Sequence, residues 1–120
     1  MADLVNMAIS SEASAFADQL MEGGLFRDQS DVLNFAAAYM IKHHFDEFSP
    51  ASYVLTDTRG SNHAFSAFDP DGKMAIMIRA LYPDTDTPYL LLRALMDKGL
   101  LVLKEDMAQD SSLSIIDEIS

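Results

Sequence analysis

The chain has 120 residues, 49% of them hydrophobic and 22% charged; that is one domain's worth of sequence and too apolar for a disordered chain. Nineteen acidic residues against eight basic ones give a formal charge of −11, which excludes a broad nucleic-acid-binding surface, because replacing phosphate counterions takes lysine and arginine. The absence of cysteine excludes disulfides, cysteine-ligated zinc and thiol catalysis. No apolar run reaches the roughly 20 residues of a membrane span, and no basic stretch with an apolar core opens the chain, so a cytoplasmic location and no membrane contact are expected.

In chain order, Asp3 to Ile9 alternates and predicts a short strand with Val5, Met7 and Ile9 on one face and Leu4, Asn6 and Ala8 on the other. Ser10 and Ser11 are N-cap residues, and Ala13, Phe16, Ala17, Leu20 and Met21 recur at helical spacing until Gly23-Gly24. A second helix starts at a cap supplied by Asp28 or Ser30 and ends near His44. Its stripe of Val32, Phe35, Ala36, Tyr39, Met40 and His43 is widened by Leu33, Ala37 and Ile41, and the run Ala36-Ala37-Ala38 is small enough for another backbone to come close.

Past Pro50, Tyr53-Val54-Leu55-Thr56 reads as a short strand, 57–62 as a polar loop around Gly60, and 63–68 as extended. Asp69-Pro70-Asp71-Gly72 is a turn leading into a short helix that ends at Pro83. Thr87 and Pro88 suit the cap and first position of a helix over 89–98. Gly99 then closes that helix, and Leu100-Leu101-Val102-Leu103 reads as a strand. From Met107 onward the chain mixes acids and serines with Leu113, Ile115, Ile116 and Ile119, as a docking segment or a frayed end. A single domain over 1–120 is expected, with a strand-helix-helix unit over 1–48 and a mixed helical part with an acidic tail over 49–120.

Few residue sets carry chemistry. His43 and Glu47 are four apart, but the helix ends there and no third ligand stands out; histidine near a helix C-terminus simply suits the dipole. Asp69 to Gly72 fails as a calcium loop, because Ala67 and Ile78 stand where further acids belong. Phosphate-binding glycine motifs and a nucleophile elbow are absent. The expectation is a non-enzymatic protein with no cofactor and no metal. Arg59, beside Ser61, Asn62 and His63, is the best local basic candidate of the second half.

Strand, helix, glycine turn and helix over Leu4 to Ile9, Ser11 to Glu22 and Asp28 to Lys42, joined by 24–31, resemble the ribbon-helix-helix family. The resemblance covers residues 3–44, about a third of the chain. It implies an intertwined homodimer whose paired strands enter the DNA major groove while the start of the second helix grips a phosphate. On this sequence the groove-facing set would be Leu4, Asn6 and Ala8, of which Asn6 alone can read a base edge. The phosphate anchor falls among Asp28, Ser30 and Asp31, with Arg27 as the helpful charge. The sequence departs from the pattern in having no basic residue in the strand and two aspartates at the anchor.

A helix-rich α+β fold is therefore expected, with a ribbon-helix-helix-like N-terminal half followed by a helical part with short strands. The expected function is that of a small dimeric regulatory or interaction protein with DNA as partner through Asn6, Arg27 and Ser30. The alternative is an acidic protein-binding inhibitor, of DNA-mimic type, with a basic protein as partner. The charge divides unevenly: residues 1–50 carry −6, residues 51–104 are neutral, and residues 105–120 carry −5.

Overall fold

The computed structural model of the protein describes residues 3–109. It is a helix-rich α+β fold with one two-stranded antiparallel sheet. The order is β1 (Asn6–Ala8), α1 (Ser11–Glu22), α2 (Gln29–His44), a 3-10 turn (Pro50–Ser52), β2 (Asn62–Ala64), a single helical turn α3 (Phe65–Phe68), α4 (Lys73–Leu81) and α5 (Pro88–Gln109). No helix among the described residues is long and apolar enough to cross a membrane.

The helix starts follow local chemistry. Ser10 accepts a hydrogen bond from the Ala13 N–H (3.2 Å) and Asp28 from the Asp31 N–H (3.0 Å), each satisfying an amide that helix geometry leaves open. Asp69 does the same for α4, accepting from Met74 N–H (3.1 Å) and Ala75 N–H (3.2 Å), while Gly72 turns the chain at φ 71°. The first amides of α5 are capped from far away: Tyr89 N–H (2.9 Å) and Leu90 N–H (3.0 Å) donate to the Asp3 carboxylate. The chain start is thereby fastened to the last helix.

The core forms where α2 crosses α5, with α1 packed on both and α4 on α5. Val32, Leu33, Ala36 and Met40 meet Leu92, Leu95, Met96, Leu100 and Leu103 in one buried cluster, and α1 adds Ala13, Phe16, Ala17 and Leu20. The alanine run works as its small size suggests: the Ala36 carbonyl lies against Gly99 so closely that a Cβ there would collide with it. Gly99 is thus a close-approach residue inside a continuous helix. The expected stop at Gly99 and strand over 100–103 are both corrected, because the contact that glycine serves lies on α2 and not in its own turn.

Two further expectations change. Met7 and Ile9 are fully buried, but Val5 is 77% exposed; the strand is Asn6–Ala8, the chain bends at Val5, whose carbonyl accepts from Phe65 N–H (3.0 Å), and Leu4 packs on the core instead. Tyr53 to Thr56 is loop, with no strand to pair it. The strand that pairs with β1 is β2, in register Asn6 with Ala64, Met7 with His63 and Ala8 with Asn62. The pairing extends through Ile9, whose N–H donates to the Ser61 carbonyl (3.2 Å) and whose carbonyl accepts from Gly60 N–H (2.9 Å). The first strand therefore finds a partner inside its own chain. The apolar residues Leu113, Ile115, Ile116 and Ile119 of the expected tail lie outside the described residues.

Candidate functional site

The three residues expected to contact DNA lie on β1 and around the start of α2. Asn6 is exposed on β1, Ser30 is half-buried as the second residue of α2, and Arg27 is exposed just ahead of it. The ribbon and α2 are joined by side chains: His63 Nε2 of β2 lies 2.7 Å from Gln29 Oε1, and Gln29 Nε2 donates to Asp18 Oδ1 (3.2 Å). Neither strand contains lysine or arginine. Arg27 Nε donates to Asp31 Oδ2 (3.1 Å). That bond, with the charges of Asp31 and Asp28, keeps the guanidinium more firmly protonated than usual, and chiefly through the same bond it holds the Asp31 carboxyl below its ordinary range. Arg59 sits likewise with its own acid: its N–H donates to Asp57 Oδ1 (2.9 Å) and its guanidinium is 3.9 Å from Asp57 Oδ2.

The exposed charge of α1 is negative. Because Ala13, Phe16, Ala17 and Leu20 face the core, the helical repeat turns Glu12, Asp18 and Glu22 outward, and all three are exposed. No basic residue lies on α1. Asp28 is also exposed, at the start of α2, and Lys104 pairs with Glu12 at 3.5 Å.

At the far end of α2 the structure pairs histidine with carboxylates in a way the sequence spacing does not anticipate. Since α2 ends at His44, it is His44 and not His43 that reaches Glu47 (Nδ1 to Oε2, 3.3 Å); its Nε2 is 3.8 Å from Asp106 Oδ2, which also accepts from the Tyr39 hydroxyl (2.7 Å). His43 packs on the Tyr39 ring at 4.6 Å between centroids. Among the described residues no group of three or more histidines and carboxylates is placed to hold a metal ion.

Two internal carboxylates have roles that the sequence reading does not assign: Asp97 is absent from it, and Asp69 is read only as a turn residue. Asp97, fully buried on α5, accepts from Ser10 N–H (2.7 Å) and from the Tyr53 hydroxyl (2.7 Å). Buried Asp69 accepts from the Tyr89 hydroxyl (2.8 Å) as well as from the α4 amides. Burial, and then these bonds, push both phenols up: Tyr53 well above its ordinary range and Tyr89 to about 12. The available signal at Asp97 was an acid within the apolar run of α5, after Leu95-Met96; Asp69 has Asp71 two residues on and carries no such mark.

A cavity of about 630 Å³ opens between the segment 48–51 and the segment 81–91; Phe48, Pro50, Leu81, Tyr82 and Leu90 form its apolar walls, with Asp84 and Asp86 at its edge. A second, of about 450 Å³, lies between α2 and α4 and is lined by Ala38, Ile41, Lys42, Met74 and Met77 among others. Neither has a histidine in its lining. Family models, curated proteins and solved structures return no match to this chain.

Proposed function

We propose that the protein is a non-enzymatic interaction protein that engages a basic partner, of the kind that binds nucleic acid, through the carboxylates of α1. The observation that carries this is the set of exposed carboxylates Glu12, Asp18 and Glu22 on a helix with no base, of which Asp18 and Glu22 share the outer face and Glu12 lies about 120° round from Asp18. At 1.5 Å rise per residue they span about 15 Å of one rigid element. Carboxylates held at fixed spacing present a directional negative surface, which speeds encounter with a cationic groove and selects against anionic partners. The test is a titration of the 15N-labelled protein with a lysine-rich peptide. Amide shifts are expected to concentrate on residues 11–31, and the triple variant Glu12→Lys, Asp18→Lys, Glu22→Lys is expected to lose them. Shifts spread evenly over every exposed acid, or retained in the triple variant, would overturn the reading.

A second reading is a homodimeric ribbon-helix-helix-like regulator that contacts DNA through Asn6, Arg27 and Ser30. Its support is the His63 to Gln29 contact, which ties an antiparallel ribbon to the first turn of α2, where Ser30 lies. Low salt is the condition that strengthens a phosphate contact of the kind Arg27 would make. A mobility shift with random duplex fragments at low salt and micromolar protein decides it, with sedimentation reporting the oligomer; an unshifted duplex rejects DNA as partner.

A further inference from the structure

Between α2 and α4 runs a groove of about 450 Å³. Helix α4 turns Ala75 and Ile78 into the core, which leaves Met74 and Met77 facing α2, where Ala37, Ala38 and Ile41 form the opposite wall. The alanines are too short to close the gap, and the unbranched methionines adapt to whatever fills it. Met77 stays 41% exposed, and Phe45, just past the last turn of α2, is 37% exposed with its ring on Tyr82. The walls are apolar apart from Asn34 and Lys42, and in a chain with nineteen acids none lines them among the described residues.

Size, position and chemistry together select an occupant. Along α2 the groove runs from Asn34 to Lys42, about 12 Å at 1.5 Å per residue. A strip of that length is far smaller than the roughly 800 Å² each partner buries in a stable complex, so it would not by itself hold a second copy or a separate protein. A tethered segment needs less, because its local concentration is about millimolar without any added contact. The tether is in place: α5 ends at Gln109 beside the last turns of α2, with Asp106 accepting from the Tyr39 hydroxyl (2.7 Å) and lying 3.8 Å from His44 Nε2. Ile41 and Lys42 of the groove stand between Tyr39 and His44 on that helix. Residues 110–113 reach about 13 Å when extended, more than the width of a helix. The chain beyond Gln109 then offers Leu113, Ile115, Ile116 and Ile119, four aliphatic side chains within seven residues, about the length of the groove even at a helical rise. Its acids, Asp110, Asp117 and Glu118, meet no carboxylate in the groove lining.

We propose that residues 110–120 of this chain dock in the groove between α2 and α4, with Leu113, Ile115, Ile116 and Ile119 supplying the apolar contacts. The docking uses none of the α1 carboxylates, so its failure would leave the function proposed above standing, and the reverse. Because the chain has no cysteine, Ser114→Cys gives a single attachment point for a nitroxide on the 15N-labelled full chain. In dilute solution the amides of residues 37–42 and 74–77 are expected to lose intensity first. Ile116→Asp, which leaves the groove untouched, and Met77→Asp, at an exposed groove position, are each expected to restore that intensity. A mixture of nitroxide-bearing chain without 15N and 15N-labelled chain without nitroxide is expected to keep the groove amides at full intensity. Losses in the mixture would seat a second copy in the groove and overturn the proposal. Losses spread evenly over the surface, centred on another face, or persisting in both variants would overturn it equally.

Discussion

Asp97 lies among leucines and methionines on α5, and its carboxylate holds two donors from distant parts of the chain, the Ser10 N–H at the start of α1 and the Tyr53 hydroxyl of the loop after the 3-10 turn. Removing a buried acceptor leaves its donors unsatisfied, which costs more than the net value of the bonds. Asp97→Ala is therefore expected to destabilise by about 2–4 kcal/mol in urea unfolding, while Tyr53→Phe, which leaves Asp97 its bond to Ser10, costs about 1 kcal/mol. The reverse ranking would remove Asp97 as the anchor. Tyr89 has a pH consequence. Its phenol titrates at about 12 in the fold, raised first by burial and then by its bond to Asp69, against about 10 in an unfolded chain. The native state thus keeps a proton that the unfolded state has released, and the stabilisation is complete below pH 10 and declines as pH rises toward 12. Unfolding midpoints across that alkaline window are expected to fall, and Tyr89→Phe is expected to flatten the decline.

Among the elements, α5 shows how one residue type carries two meanings. A glycine after ten helical residues, followed by four aliphatic ones, reads locally as a helix stop and a strand. The facing helix decides otherwise, because Ala36 brings its carbonyl into the space a side chain at Gly99 would fill. On an exposed helix glycine-to-alanine gains about 1 kcal/mol from helix propensity; at this crossing the collision is with backbone, which cannot rotate away, and overpacking costs about 1–3 kcal/mol. Gly99→Ala is expected to be net destabilising by denaturant unfolding, and a stabilised variant would show that α2 and α5 do not cross so closely. The helices α1, α2 and α4 were legible because their caps and stripes are local. The strand partner of β1 was not: three residues, Asn62 to Ala64, sit in a polar stretch whose pairing is set by where the chain returns after Gly60, not by their own pattern.

For the molecule as a whole, the charge sets a salt response. Acids crowd residues 1–50 and 105–120, and the basic residues of the middle are partly used in pairs with neighbouring acids, as at Arg59 with Asp57 and Lys73 with Asp71. A chain at −11 repels itself in the compact state. Raising salt from about 0.01 M to 1 M shortens the screening length from about 30 to 3 Å, so the thermal midpoint is expected to rise by about a few degrees. The same salt is expected to weaken any complex with a basic partner. A midpoint that falls with salt would mean that ion pairs outweigh the repulsion.

Composition and local pattern by themselves determined the helix-rich class, narrowed the caps to Ser10 or Ser11 and to Asp28 or Ser30, and marked the end of α2 near His44 and the small-residue face of Ala36 to Ala38, because each is a preference of a few adjacent residues. The acidic balance was equally plain, but the exposure of the α1 carboxylates followed only once the opposite face was packed. Tertiary structure alone decided that β1 pairs with β2, that Gly99 continues a helix, and that Asp3, Asp69 and Asp97 turn inward as acceptors. Apart from Asp69, whose partners lie 5 to 20 residues on, each of these depends on a partner dozens of residues away, and sequence pattern has no means of weighing a contact before the chain has closed the loop that makes it.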